Sequence, residues 1–513
     1  MAISDSGGLE ESKDSRESIL PAPSSKEAFI EYITCSMVLI FSLIRDALLY
    51  LGILRSREPV DPRKEEGYVK LYRGFQPFFT RNGYRRLRDC WNRPIVGVPD
   101  AYVTLKDRET YDNGISFQFT GTTKRCINMG SYNYLGFSEN QGLCHETSKK
   151  SIQKYGVGMT SFRRELGDTL QLLELEDLVA EYIGTEAAMT FGMGFATNSL
   201  NIPGLLKKGD LVISDQCNHA SLVLGMRLSG CAVNIFKHND MKDLEKVLRN
   251  AIVFGDPRTR RPWKRIIIVV EGIYSMEGSI VKLPEIMRLK KKYKAYLYVD
   301  EAHSIGAIGT SGKGVVDYFG LDVRDVDIMM GTFTKSFGAA GGYIAGSKAL
   351  IDHLKTVSHG WYYATSMSPP VAQQIISAIR IILGKDLPGE GQRRIAQLLS
   401  NSRYLRQHLK RNGFPIIGDE DSPVVPLMFH TFHGPPTFSR KMRELGIATV
   451  IVGFPATKLF EQRARFCCSA SHTKEMLDHT IDAIIQTADF VGMRRSKTLE
   501  PVPDVIDGNV HET

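Results

Sequence analysis

Seven short apolar runs recur along the chain, at 187–191, 211–214, 232–236, 265–271, 295–300, 326–330 and 343–346. Helical patterns separate most of them, among them Asp240 to Asn250 and Leu283 to Tyr293. Short, continuously apolar runs read as strands buried on both faces. Strands alternating with helices predict an α/β domain built on a largely parallel sheet. The rhythm begins near residue 127, and ligands of such sheets gather at the carboxyl ends of the strands. After Pro370 the pattern changes to long helices (about 371–384 and 391–412), short strands and a closing helix near 473–492, which predicts a smaller C-terminal domain. At 513 residues the chain has room for two or three such units.

The strand ends carry the chemistry. After the first run comes Gly192-Met-Gly194-Phe195-Ala-Thr197, a glycine-rich turn opening a helix, where exposed amides bind phosphate. The second run ends in Asp215-Gln-Cys-Asn218-His219, the fourth in Glu271-Gly-Ile-Tyr-Ser275, and the fifth in Asp300-Glu-Ala-His303. Each alone is weak, since a lone loop histidine is more often structural and G-x-G turns are common. A carboxylate ending an apolar strand needs a cationic partner, and a protonated pyridine nitrogen is one.

Further on stands Gly331-Thr332-Phe-Thr334-Lys335-Ser-Phe-Gly338-Ala-Ala-Gly-Gly342, its lysine 35 residues beyond Asp300. By itself it reads as a surface lysine in a glycine-rich turn. Between two apolar strands, desolvation lowers the amine's pKa and makes it a nucleophile able to form a Schiff base. A phosphate-binding turn, a ring-stacking histidine, a serine, an aspartate with a second histidine, and a lysine together meet the needs of pyridoxal 5'-phosphate. Asp300-Glu-Ala-His303 is also an ATPase box, but that reading requires an earlier phosphate loop. The nearest match, Gly309-Thr-Ser-Gly312-Lys313-Gly314, follows the box and has the wrong spacing.

Phe29 to Leu54 is the one membrane candidate, an apolar stretch broken by Arg45-Asp46. It reads as a spanning helix, an amphipathic helix in one leaflet, or a buried soluble helix. Residues 1–28 hold three Lys/Arg and 55–93 hold eleven, an asymmetry that places the C-terminal bulk in the cytosol. The net charge of +8 is modest for this length, and no nucleic-acid module accompanies it. Eight cysteines without C-x-x-C spacing argue against a zinc site and a disulfide framework, so no metal is expected.

Several motifs carry a resemblance over most of residues 66–490. They are Trp91-Asn-Arg-Pro94, Asn128-Met-Gly-Ser-Tyr132-Asn-Tyr134-Leu-Gly-Phe137, Asp300 to Ser304, Gly331 to Tyr343, Tyr363 to Pro370, Val452 to Thr457, and Arg463-Ala-Arg465 through His472. With them the chain resembles the α-oxoamine synthase family of fold-type I pyridoxal-phosphate enzymes, and within it the catalytic long-chain-base subunits. The resemblance implies a fold-type I transferase with a seven-stranded sheet, a smaller C-terminal α+β domain and an N-terminal membrane-associated helix. The expected divisions are a tail (1–28), a membrane helix (29–54), an adaptor (55–126), a cofactor-binding domain (127–385), a small domain (386–495) and a second tail (496–513).

By position, the resemblance implies that Lys335 carries the cofactor, Asp300 pairs with its ring nitrogen and His303 bonds its phenolic oxygen. His219 stacks on the ring, Ser275 lies near its edge, and Gly194, Phe195, Thr332 and Thr334 contact phosphate or ring. Arg465 holds the substrate carboxylate, with Arg463 as second choice. The implied reaction is condensation of L-serine with palmitoyl-CoA to 3-oxosphinganine, CO2 and CoA, the first step of sphingolipid synthesis. The implied setting is the endoplasmic reticulum membrane, with the catalytic domain in the cytosol. The implied partners are a non-catalytic, lysine-less long-chain-base subunit and small membrane regulators. Gly156 to Gly167 departs from the family pattern near Met159 and Phe162, which bears on acyl-chain preference.

Overall fold

The computed structural model describes residues 25–54, 67–68, 78, 80–112, 114–429, 431, 434–454, 456–457 and 461–493. The expected C-terminal tail, 496–513, and most of the expected N-terminal one lie outside these residues. The N-terminal helix runs Ser25–Tyr50, and its segment Phe29–Tyr50 is long and apolar enough to cross a membrane. Phe29, Ile33, Met37, Ile40 and Ile44 are all exposed, which removes the reading as a buried core helix. Its hydroxyls bond back into the helix, Thr34 to the Ile30 carbonyl (2.9 Å) and Ser42 to that of Val38 (2.7 Å). Internal pairing of this kind suits a lipid surround that offers no other partner.

Beyond it, β1 (Ile95–Val96), β2 (Tyr102–Glu109) and β3 (Gln118–Asn128) form an antiparallel meander. The main sheet follows with β4 (Ala187–Phe191), β5 (Asp210–Asp215), β6 (Ala232–Phe236), β7 (Arg265–Glu271), β8 (Tyr296–Asp300), β9 (Ile328–Thr332) and β10 (Gly342–Gly346). These are the seven runs read from the sequence. Their order is β4-β10-β9-β8-β7-β5-β6. Pairing is parallel from β9 through β6, and β10 alone runs antiparallel to both its neighbours, β9 and β4. The reason is local: the link from Thr332 to Gly342 is too short for a crossover helix, so the chain must turn straight back. Lys335 sits in that turn.

The C-terminal part holds β11 (Val424–Phe429), β12 (Ile447–Ala448), β13 (Val450–Val452) and β14 (Gln462–Cys467). β14 lies between β11 and β13, while β12 joins β3 as a parallel fourth strand of the N-terminal sheet, pairing Ile447 with Ile127. The segment before residue 126 and the small domain therefore share one sheet. Helices Pro369–Ile382, Glu390–Arg411 and Lys474–Val491 match the expected periodic stretches within about two residues.

The 128–137 motif is fastened to this domain by main-chain bonds, Cys467 N–H to the Met129 carbonyl (2.9 Å) and Ala470 N–H to that of Tyr134 (2.7 Å). His472 completes the seam: Ser469 N–H donates to its Nδ1 (3.2 Å) and its Nε2 donates to the Asn128 carbonyl (3.1 Å). Burial holds this imidazole neutral, with its pKa pushed down from 6.5 to about 4. The unfolded chain binds this proton first, so stability falls as pH drops from 6.5 to 4. The loss saturates at about 3 kcal/mol. In His472→Gln the unfolding temperature should be lower at neutral pH and flatter across that window. An unchanged acid slope would show that His472 is not the responsible group.

Candidate active site

The carboxyl ends of β5, β7, β8 and β9 open on one cleft, and each delivers a polar group there. Asp300 ends β8 and is buried. One of its oxygens accepts from Asn198 Nδ2 (2.7 Å) and the other from the Ala302 amide (2.9 Å). A carboxylate has about four lone-pair sites, so it keeps capacity for one more cationic donor. Asn198 is itself oriented, accepting from the Tyr298 hydroxyl (2.7 Å) and donating to Ser221 Oγ (3.0 Å).

Glu271 ends β7 and lies opposite Asp300 in the register. Burial first, and the Asp300 charge second, push its pKa well above the usual carboxylate range. Two carboxylates this close do not both ionise in a dry site, and Glu271 is the one held toward its neutral form. Glu271 accepts the His219 amide, pinning the loop that carries the imidazole. His219 caps the helix Ala220–Ser229, and its Nδ1 meets Ser221 Oγ at 2.7 Å. Its ring, exposed to the cleft, is edge-on to Phe195 at 5.9 Å. Desolvation and then Lys335 push its pKa down, while Asp300 opposes them.

Lys335 Nζ donates to Thr332 Oγ1 (3.3 Å), and Thr334 Oγ1 donates to the same oxygen (3.3 Å). Enclosure of the amine pushes its pKa down to about 8; Asp300 and Glu271 oppose this, and Arg465 adds to it. An amine there carries a far larger neutral, nucleophilic fraction near physiological pH than an ordinary lysine. His303 is buried and its pKa lies well below the ordinary value, through burial and then the charges of Lys335 and Arg465. The Tyr134 hydroxyl meets its Nδ1 at 2.8 Å; with the tyrosine as donor, the ring proton sits on Nε2.

Gly194 opens the helix Gly194–Leu205 directly after β4. A Cβ there would come within 3.1 Å of Thr332 Cγ2 and 3.3 Å of the Gly341 carbonyl, so glycine lets turn and lysine loop close together without either giving way. The arrangement sets helix amides beside Thr332, a built place for a phosphate. Ser275 is half-buried on the loop after β7.

Arg465, on β14 of the small domain, is buried with its guanidinium 4.7 Å from the Tyr132 ring centre. Lys335 Nζ lies 5.7 Å from the same ring, and His303 meets it edge-on at 5.2 Å. Arg465 Nε is buried with no hydrogen-bond partner among the described residues. Arg463, two residues away, is fully engaged by the Met276 carbonyl (2.6 Å), Glu277 and the Glu461 carbonyl (2.9 Å). Of the two arginines named from the sequence, Arg465 is the one left with a donor to offer.

Residues 124–484 match the family described as aminotransferase class I and II. The chain is 52% identical over 459 residues to human serine palmitoyltransferase 3, covering 89% of this chain and 83% of that one. It is 50% identical over 469 residues to serine palmitoyltransferase 2 of Caenorhabditis elegans, covering 91% and 83%. The chain belongs to the serine palmitoyltransferase family. A solved serine palmitoyltransferase variant from S. paucimobilis, with bound pyridoxal phosphate and myriocin, shares its fold. There the TM-score is 0.70 and identity 25%, over 82% of this chain and 100% of that one.

The sequence reading named Lys335, Asp300, His219, His303 and Arg465, and the structure brings these near one another. It assigned no role to Glu271, Asn198, Tyr132 or Tyr134. Glu271 was visible as a carboxylate ending an apolar run, and the tyrosines lie inside a motif already noted. Their contacts join segments as much as 169 positions apart, and no local pattern encodes that. A second array went unread: Asp215 accepts from His238 Nδ1 (2.9 Å), and His238 Nε2 meets Ser279 Oγ (2.7 Å). It ties the His219 loop to the Ser275 loop. Cys217 completes a possible metal-ligand triplet with Asp215 and His238, but both imidazole nitrogens are already engaged.

Proposed function

We propose that this chain is the catalytic subunit of a serine palmitoyltransferase, condensing L-serine with palmitoyl-CoA to 3-oxosphinganine, CO2 and CoA. The observation that carries the reading is the enclosed Lys335 amine, pushed down to about 8, beside a charged Asp300 and a donating His303. The residues fit pyridoxal phosphate. Lys335 would hold its aldehyde carbon, Asp300 its ring nitrogen, His303 Nε2 its phenolic oxygen, and the Gly194 helix start with Thr332 and Thr334 its phosphate. His219, Phe195 and Ser275 would line its ring. Bound there, the cofactor supplies an electron sink for carbanion character beside the amino nitrogen.

The chain's own groups do the rest. Arg465 binds the serine carboxylate and so fixes which bond at Cα faces the ring. Lys335 Nζ takes the serine α-proton, a task suited to an amine with a pKa of about 8, and later returns one. Asn198 and the Ala302 amide hold the Asp300 carboxylate in place for the ring nitrogen. The Phe29–Tyr50 helix anchors the chain in the endoplasmic reticulum membrane, and the basic flank that follows holds the body on the cytosolic side. A lysine-less long-chain-base subunit completes a heterodimer, with small membrane subunits regulating it.

Incorporation of labelled serine into a long-chain ketone, dependent on palmitoyl-CoA, is the expected result in membranes carrying the complex. Ketone formation from glycine or alanine in place of serine would overturn the assignment. Arg465→Ala should raise the serine KM roughly 10–100-fold while the bound cofactor's absorbance persists. Arg463→Ala should lower stability and leave KM alone. Equal KM effects from both would reject the carboxylate role.

A further inference from the structure

His238 follows β6 and is buried, as is Asp215 at the end of β5. The Asp215 carboxylate takes three groups at once: His238 Nδ1 (2.9 Å), the Cys217 amide (2.8 Å) and the Asn239 amide (3.1 Å). Its carbonyl accepts the Asn218 amide (3.2 Å). The turn so formed ends at His219, whose own amide goes to Glu271. On the other side of the imidazole, Nε2 meets Ser279 Oγ (2.7 Å) and the ring lies edge-on to Tyr274 at 4.4 Å.

Tyr274 and Ser279 bracket a second turn, which carries Ser275. The Tyr274 N–H donates to the Ser279 carbonyl (3.0 Å), the Gly278 N–H to that of Tyr274 (2.8 Å), and Asn239 Nδ2 to that of Ile280 (3.0 Å). The small domain holds the far side of this turn, where Asp419 accepts the Ile280 amide (2.5 Å) and Arg463 donates to the Met276 carbonyl (2.6 Å). His238 thus reaches both turns, with Asp215 on one nitrogen and Ser279 on the other.

An apolar side chain would fill the same space. Buried polar groups are costly unless their bonds are made, and a fully bonded array fixes one geometry where an apolar contact tolerates several. The roles assigned to the cleft residues use neither His238, Asp215 nor Ser279.

We propose that His238, held between Asp215 and Ser279, is a positioning residue that sets the spacing of His219 and Ser275 and so the way the two line the cofactor ring. The proposal rests on the reading of the cleft as a pyridoxal-phosphate site. Arg465 stands on β14 of the small domain and takes no part in the array. The effect of breaking it therefore falls on the cofactor and on kcat, and not on the serine KM.

The test compares His238→Asn and Ser279→Ala with the wild type as assembled holoenzymes. Asparagine keeps a donor for Asp215 but is too short to reach Ser279, and alanine removes that link while leaving His238 in place. In each variant the dissociation constant for pyridoxal phosphate should rise about tenfold, and the circular dichroism of the bound cofactor's band should change. The kcat should fall about tenfold with the serine KM within about twofold. Ile484→Ala, a cavity in the closing helix Lys474–Val491, is the control for lost stability alone. It should lower the unfolding temperature and leave the band and the dissociation constant as in the wild type. Unaltered dichroism and cofactor affinity in both array variants would overturn the proposal, whatever their unfolding temperatures. An equal change in Ile484→Ala would overturn it too, since the loss would then be one of general stability. Should His238→Asn fail to fold, Ser279→Ala, the loss of a single hydroxyl, decides alone. A wild type without a cofactor band refutes the cofactor reading and the array's role with it. A wild-type band that serine shifts, beside variants that behave identically, refutes the array's role alone.

Discussion

Lys335→Ala should yield a folded protein that no longer binds pyridoxal phosphate covalently and turns over at least about a thousandfold more slowly. The fold should survive, because the side chain's hydrogen bond to Thr332 is a single long one, 3.3 Å, and the loop is held independently. Phe333 and Phe337 are buried within it, and Ser336 Oγ donates to the Ile305 carbonyl at 2.7 Å. Absorbance near the visible edge, with and without serine, is the readout. The wild type should show a band that serine shifts, and the variant a free-aldehyde spectrum with unaltered thermal unfolding. If the variant keeps a band that borohydride fixes to the chain, the anchor is another residue and the central assignment fails. Lys313, in the loop that lacks phosphate-loop spacing, is the control whose removal should do neither.

Asp300→Asn should cost roughly a hundred- to a thousandfold in kcat while the cofactor stays bound. The change is isosteric, yet it places an amide nitrogen where either Asn198 Nδ2 or the Ala302 N–H now donates, and it deletes the one charge that favours a protonated ring. Its electrostatic consequences can be signed. Asp300 raises the Lys335 pKa, so its loss should move the acid limb, along which activity rises as that amine deprotonates, below its value of about 8. Asp300 also raises Glu271, so its loss should let Glu271 ionise and recover part of the missing charge. The double variant Asp300→Asn/Glu271→Gln should therefore be worse than Asp300→Asn alone by more than Glu271→Gln costs by itself. A kcat unchanged in Asp300→Asn would mean that the ring nitrogen is not this residue's partner.

The sequence was explicit about strands because a strand buried on both faces leaves a continuous apolar run. All seven such runs became the main sheet, and the polar residues at the ends of β5, β7, β8 and β9 pointed to the site. It made Lys335 legible only together with the strand ends upstream, since alone the lysine reads as a surface residue in a glycine-rich turn. It was silent on the direction of β10, although the short link after Thr332 carries the reason. It was silent too on β12, whose two residues join a strand more than 300 positions earlier. Two-residue pairings have no period to detect.

What the chain by itself determined is the set of reactive groups and the frame that presents them, since strand periodicity and glycine punctuation are local properties. Only the tertiary structure decided which arginine is spare, which carboxylate keeps its charge and which tyrosine sets the His303 proton. Those outcomes depend on burial and on distances between segments far apart in the chain. Coulomb energies in a dry site change by kilocalories over a few ångströms, and sequence spacing does not fix ångströms.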